Sequence, residues 1–464
     1  MKEGYIKQED RKKILLLTDD IRVHSGVAQM GREIVLNTSH RYNWCQLAGS
    51  ITHPEKGKIV DISKDINEEM GLEDAYCTLY PVDGYGTPDI LREIIKREKV
   101  DALFLITDPR YFQWLFNMEE EIRADIPIAY LNIWDDLPAP QYNEEFYESC
   151  DALFGISKQT KLINEVVLGD KANDKIIRYI PHGLDNNKFF PLTDNPLPKE
   201  KDFTLFFNSR NIRRKAIPDT IAAWKLFVDG LNNNQKQNVE FVIHSDAVSQ
   251  HGTDLPAVIE YVMGEDASTI RLSTQKVPHQ VLNQIYNNAD CVIQVSSAEG
   301  WGLALTEALL TGTPIIANVT GGMQDQMRFE ERGKWYTNNV DLPSNQFGTL
   351  RKHGDWAFPV YPQAMSIVGS PKTPYIYDSR CDFRDVAARI YELYTMSPEE
   401  REERGKKGME WALGNEAGFT AAHMGERVIV GMEDTFENFT PRAKFTFHKD
   451  TDYKSPVMNH KLVY

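Results

Sequence analysis

The sequence predicts an α/β protein of two domains, each a mostly parallel sheet covered by helices on both faces. Three observations carry this. Short apolar runs that suit buried strands alternate with amphipathic helical stretches from Lys13 to about Phe436, the order that builds parallel sheets. The chain is 464 residues long, more than one ordinary hydrophobic core sustains. A polar, proline-rich segment from Pro191 to Asp202 interrupts the alternation near its middle and reads as a linker. These place a first domain over 1–195, a second over 200–415 and a terminal segment over 416–464.

The first predicted strand is Lys13 to Thr18, KILLLT. It runs through Asp19, Asp20, His24, Ser25 and Gly26 into a helix with Val27, Met30, Ile34 and Val35 on one face. Many nucleotide and sugar-phosphate domains begin in this way. No GxGxxG is present, so an ordinary dinucleotide site is unsupported. Thr87-Pro88 opens a helix carrying Leu91, Ile94 and Ile95. Asp101 to Ile106, Pro127 to Asn132 and Asp151 to Ile156 read as strands, and Ser157 caps a helix to Leu168. Trp134, Asp135 and Asp136 follow the PIAYLN strand, where α/β proteins place functional loops. Trp134 offers a stacking face for a sugar or base, and either aspartate can bind hydroxyls or act as a base. A solvated acidic turn behind a core tryptophan is the alternative.

The second domain opens on the strand Phe203 to Asn208. Next come Ser209-Arg210-Asn211-Ile212-Arg213-Arg214-Lys215-Ala216 and a helix from Ile217 to about Gly230. Four cations in six residues suit an anion site, with a solvated helix entrance as the lesser alternative. After strands at Val239 to His244 and Thr269 to Leu272, and a helix beyond Pro278, comes the strand Cys291 to Val295 with SSAEGWGLALTEALLTGT behind it. Gly300 and Gly302 loosen the turn, and Leu303, Leu305, Ala308 and Leu309 take helical spacing. Gly312 and Pro314 end the helix before a strand to Asn318. Free N–H groups at such a helix start suit a diphosphate. Glu299 and Glu307 frame this site; a carboxylate repels an anion, so each suits sugar or ribose hydroxyls instead. Residues 328–380 are irregular and rich in aromatic and basic side chains, and read as an insertion near the cleft for acceptor binding. Helices follow over Asp382 to Met396, from Ser397-Pro398, and from about Ala417 to Phe436.

Composition narrows the function. A net charge of −16 gives no bulk attraction to nucleic acid or an anionic membrane, although a local basic groove stays open. Five scattered cysteines without a CxxC pair fit a reduced, cytoplasmic setting. No HExxH-like cluster appears, so no metal site is expected, and no apolar run has the length of a membrane span. The opening MKEGYIKQEDRKK is too polar for a signal peptide.

Glu299 and Glu307, with both glycines, the helix and the TGTP exit, resemble the E-x7-E motif of retaining glycosyltransferases of the GT4-like family. Ile180-Pro181-His182-Gly183-Leu184-Asp185 with Phe190-Pro191 is similar to the segment that ends their first domain. The resemblance implies the GT-B fold: two Rossmann-like domains facing across a cleft, with a C-terminal helix crossing back to the first. It also implies roles. Glu307 would grip the ribose diol and Glu299 the transferred sugar. Arg210 and Lys215, matching a GR…KG pattern, would hold the diphosphate, with Arg213 and Arg214 as bystanders. Gly26, Gly300, Trp301, Gly302, Leu303, Ala304 and Gly322 would line the donor site, with Asp325 standing for the family's glutamate after two glycines. His24, Ser25, Trp134 and Asp136 would face the acceptor, with Asp135 in a catalytic role; Trp134 stands where many relatives carry a histidine. The co-substrate implied is a nucleotide-sugar, a UDP-sugar foremost, with no metal.

The sequence also looks like glycosyltransferases encoded by large tailed phages. That implies a hydroxymethylated base in DNA as acceptor and the host cytoplasm as location. Lipid, glycan and small-molecule acceptors stay open, as does the oligomeric state. A GT-B epimerase or phosphorylase and a non-catalytic nucleotide-sugar-binding module are the other readings.

Overall fold

The computed structural model describes residues 4–443, so the end of the 416–464 segment lies outside the described residues. Eight strands form the first sheet: β1 (Lys12–Asp19), β2 (Tyr42–Ser50), β3 (Val60–Asp61), β4 (Cys77–Asp83), β5 (Ala102–Ile106), β6 (Ile128–Asn132), β7 (Ala152–Gly155) and β8 (Ile176–Tyr179). Their order is β3-β4-β2-β1-β5-β6-β7-β8, parallel except for the β3–β4 pair. The second domain contributes β9 (Phe203–Asn208), β10 (Val239–His244), β11 (Ile270–Ser273), β12 (Cys291–Gln294) and β13 (Ile315–Asn318). It continues with β14 (Glu330–Glu331), β15 (Lys334–Trp335), β16 (Ala357–Val360), β17 (Ala364–Ser370) and β18 (Thr373–Arg380). Its main sheet runs β11-β10-β9-β12-β13-β16, all parallel, while β14–β15 and β17–β18 are separate hairpins. Ile14 to Leu17, Leu103 to Ile106 and Leu205 to Phe207 are fully buried, as strands covered on both faces must be.

Each main sheet reverses its order once, between β1 and β5 in the first and between β9 and β12 in the second. Loops leaving the carboxyl ends of such strands diverge and leave a crevice, the usual ligand site of an open α/β sheet. The loops at these two points carry most of the residues singled out above.

Two of the joins between the domains involve the C-terminal segment. Beside the linker, Leu184 N–H donates to Phe419 O at 3.0 Å and Ala421 N–H to Leu184 O at 2.8 Å. A Cβ on Gly183 would come 2.2 Å from the Thr420 oxygen, which explains a glycine there. The helix Ala421–Asn438 then crosses onto the first domain. Its Gly425 abuts Asn37, its Gly431 abuts the Phe154 ring, and Glu433 and Asp434 pair with Arg41 and Arg178.

Several features depart from the sequence reading, β3 and β8 among the strands it omits. β2 (YNWCQLAGS) and β4 (CTLYPVD) were not foreseen as strands, because β2 buries polar side chains that periodicity counts against a core strand. Its Asn43 donates to Gln8 O at 2.8 Å and its Gln46 to Asp19 O at 2.7 Å. The stretch 328–380 is also more than an insertion: β16 inside it is the edge strand of the second main sheet.

Candidate functional site

The second-domain rim is built at the β9–β12 reversal. Gly302, at φ +91°, precedes the helix Leu303–Leu310 and offers no capping side chain. The N–H groups of Leu303 and Ala304 thus have no partner among the described residues. Gly300 and Gly302 do more than loosen the turn. A Cβ on Gly300 would come 2.6 Å from Ile133 O, so this loop packs its backbone directly on the first domain.

After β9, the chain makes a short turn over Arg213–Lys215 and leaves it through Ala216 at φ +50°. A left-handed position of this kind favours glycine, which is the last residue of the GR…KG pattern that the stretch resembles. The turn brings Arg214 and Lys215 onto Glu299. Arg214 Nη1 donates to Glu299 Oε2 and to Ala298 O, at 2.8 and 2.7 Å, and Lys215 Nζ donates to the same Oε2. Burial raises the Glu299 pKa, but the two cations outweigh it and hold the carboxyl at about 2. Burial lowers the Lys215 pKa against the pull of Glu299. Arg210 sits exposed beside Lys215, with no ion pair among the described residues. Arg214, read from sequence as a bystander, is therefore part of the site. No sequence signal separates it from Arg213, because only the turn decides which side chain points inward.

Glu307 has the opposite environment. Its Oε2 accepts from Tyr286 OH and from Asn208 Nδ2 (3.2 Å), while Oε1 takes no bond among the described residues. No cation among the described residues faces it, and burial pushes its pKa up to about 7. One carboxylate oxygen is thus left for a hydroxyl pair. Tyr286 and Asn208 were not foreseen: they lie 21 and 99 residues away in sequence.

Across the cleft, Gly26 meets the start of the Leu303–Leu310 helix, since a Cβ there would sit 3.3 Å from Leu303 Cδ1. His24 is exposed near His279 of the second domain, whose pKa is lowered by burial and by Lys188 and His24. Ser25, half-buried, has a structural task. Its hydroxyl caps the Gly26–Thr38 helix through Ala28 N–H at 3.0 Å and donates to Asp19 Oδ2 at 2.6 Å.

Further corrections concern groups already committed to the fold. Trp301 is buried, donates Nε1–H to Thr306 Oγ1 at 2.9 Å and packs edge-on against Phe419, so it does not face a donor. Gly322 is buried and donates its N–H to Glu299 O at 2.9 Å. Asp136 is fully buried between the domains. It accepts from Leu137 N–H, Gln159, Thr320 and Ser379 at 2.8, 3.3, 2.9 and 3.1 Å, and burial raises its pKa to about 7. It clasps the domains and cannot meet an acceptor. Asp325 is buried as well, accepting Lys158 N–H at 2.9 Å across the interface.

Asp135 and Trp134 stand differently. Asp135 is partly exposed, and its Oδ2 lies 3.9 Å from Arg214 Nε. Burial raises its pKa, Arg214 opposes this and Glu299 adds to it. Trp134 is anchored by Nε1–H to Asp136 O at 2.8 Å. Both line a cavity of about 440 Å3 that adjoins the Arg214–Glu299 pair and is roofed by the β17–β18 hairpin.

The comparisons agree with this architecture. Residues 192–342 match the model of the family described as "Glycosyl transferases group 1". Mannosylfructose-phosphate synthase of Agrobacterium fabrum is 24% identical over 218 residues, 46% of this chain and 43% of that protein. The chain spans less than half the length of the curated relatives it matches. Among solved structures, sucrose-phosphate synthase from Thermosynechococcus elongatus superposes with a TM-score of 0.65 at 15% identity, over 92% of this chain and 100% of that one. Anabaena HepE in complex with UDP and glucose does so at 0.61 and 13% identity, over 91% and 100%. The chain has the two-domain GT-B fold, and residues 192–342 within it are similar to the glycosyl transferases group 1 domain.

Proposed function

We propose that the protein is a retaining glycosyltransferase that moves a sugar from a nucleoside diphosphate sugar, UDP-linked, to an acceptor hydroxyl presented by the first-domain rim. The observation that carries this is the pairing of two carboxylates with opposite electrostatics on one helix-start unit, beside a free arginine and a buried lysine. Glu307 Oε1 accepts from the ribose diol, and Glu299 takes hydroxyls of the transferred sugar. Arg210, Lys215 and the N–H groups of Leu303 and Ala304 neutralise the diphosphate, a task assigned here to side chains and backbone rather than to a metal. In the step proposed, the bond from the anomeric carbon to the diphosphate oxygen breaks. The acceptor oxygen bonds to the same face, and its proton passes to the departing diphosphate. UDP is favoured because HepE is a fold neighbour in complex with UDP and glucose. No helix among the described residues is long and apolar enough to cross a membrane.

A hydroxymethylated DNA base has the aromatic hairpin in its favour. Yet Arg380 of that hairpin is already paired with Asp219 and Asp378, at 3.0 and 2.8 Å, and is not free for phosphates. A small acceptor is the reading carried forward.

The test is thermal stability with UDP, GDP, ADP and TDP. A ligand at a hundred times its Kd adds about 2.7 kcal/mol of stability. UDP should raise the melting temperature, and Glu307→Ala should abolish the rise. Affinity should weaken as pH falls through about 7, where Glu307 takes up a proton, and this weakening should be smaller in Glu307→Gln. No shift with any nucleotide would overturn the proposal.

A further inference from the structure

The cavity beside Asp135 is walled by the loops after β5 and β6 and roofed by β17–β18, so both domains build it. Besides the Ser379–Asp136 bond, four hydrogen bonds tie the roof to the first domain. Arg110 Nη1 donates to Lys372 O at 2.9 Å, Tyr142 OH to Tyr375 O at 2.9 Å, Gln141 N–H to Tyr375 OH at 3.2 Å, and Tyr377 N–H to Leu137 O at 2.7 Å. A space of about 440 Å3 under such a roof lies near the lower end of small-ligand pockets and suits a molecule of one or two rings.

Its charge narrows the occupant further. Arg110 is the one cation among the lining residues, and Asp108 holds it. Arg110 N–H and Nε both donate to Asp108 Oδ1, at 3.0 and 2.7 Å, while Nη2 pairs with Oδ2. The same guanidinium lies 5.6 Å from the centre of the Trp134 ring. With Nη1 on Lys372 O as well, each of the three guanidinium nitrogens already donates to an acceptor of the protein. Asp135 adds a second carboxylate whose nearest cation, Arg214, is engaged more closely by Glu299, at 2.8 Å against 3.9 Å.

We propose that this cavity receives a small, neutral polyhydroxylated acceptor, and that Asp108 sets this specificity by withholding Arg110 from any phosphate group. The inference rests on the glycosyltransferase reading and deepens it. It also separates this chain from the proteins named above whose own names include a sugar phosphate.

The test uses the full chain saturated with UDP, whose binding is measured first; if UDP does not bind, the glycosyltransferase reading itself fails. Glucose, fructose and myo-inositol are then titrated by saturation-transfer NMR against glucose 6-phosphate and myo-inositol 1-phosphate. At least one neutral probe should bind, with its phosphorylated partner at least tenfold weaker. Asp108→Asn keeps the cap on the following turn but frees Arg110. It should therefore strengthen binding of the phosphorylated probe about tenfold, change the neutral one less than threefold and leave UDP affinity intact. That gain cannot come from misfolding. Equal or tighter binding of the phosphates to the wild type would overturn the proposal. So would UDP-bound protein that takes none of the neutral probes, or one that binds only duplex DNA carrying 5-hydroxymethylcytosine.

Discussion

The two rims of the cleft are built on different plans. The second-domain rim is one strand–turn–helix unit plus the turn after β9: Glu299, Gly302, Leu303 and Glu307 lie within nine residues, and local backbone geometry fixes their relation. The first-domain rim is assembled from the loops after β1, β5 and β6 and from a hairpin that belongs to the other domain. The first plan concentrates charge: Arg214, Lys215 and Glu299 share one carboxylate oxygen. The second neutralises it, with Asp108 and Arg110 closed on each other. On the reading proposed above, the first plan suits a diphosphate and the second an uncharged partner.

The largest test of this contrast is Glu299→Ala. It leaves Lys215 buried, with Arg214 the nearest charge and of like sign. Removing one partner from a buried ion pair costs about 3–5 kcal/mol. A fall of that size in chemical denaturation is expected, together with a changed pH profile. Glu299 is held at about 2, below its ordinary 4.5, so its contribution is present above pH 4.5 and lost as pH falls towards 2. Glu307 acts in the other direction. Its folded form stays protonated up to about 7, so its contribution falls as pH rises from 4.5 to 7. Glu299→Ala should flatten the acid limb and leave the limb near neutrality. A variant as stable as the parent at pH 7 would show that the cluster is not a buried pair.

Next in size is Lys215→Ala. Arg214 keeps Glu299 paired, so the fold is retained while one cation at the proposed leaving group is lost. Turnover should drop about 10²-fold, the scale of one charge-stabilising donor, with a smaller change in KM. Near-normal kcat would remove Lys215 from the reaction and leave the charge on Arg210 alone.

How much of this was legible follows the same divide. The second-domain rim could be read because its residues are close in sequence and its glycines have one steric reason each. What failed there was orientation. Arg214 and Arg213 are identical neighbours, and only the turn ending in Ala216 sends one inward. Trp301 and Gly322 sat in the right stretch but point into the core or spend their amide on Glu299. The first-domain rim was legible as loops and not as contacts. Asp135 and Asp136 are adjacent and of one type, yet one borders the cavity while the other is sealed by four donors drawn from both domains. Asp108 and Arg110 went unnoticed, because their role depends on a hairpin more than 250 residues further on.

The smallest test asks whether that hairpin matters to the acceptor at all. The Tyr375 side chain touches the first domain in two ways: its ring lies edge-on to Tyr142 at 4.8 Å, and its hydroxyl accepts Gln141 N–H at 3.2 Å. Tyr375→Phe keeps the ring and removes only the acceptor of one exposed hydrogen bond, worth about 0.5–1.5 kcal/mol. Thermal stability should hardly change, because the Tyr142 and Tyr377 bonds still hold the roof. A slightly looser roof should raise acceptor KM two- to threefold, with kcat and nucleotide affinity unchanged. If kcat fell as much as KM rose, the hairpin would reach the reacting atoms and the two rims would share the chemistry. If neither moved, the roof would be a clasp between domains, and acceptor choice would rest on Asp108, Trp134 and Asp135 alone.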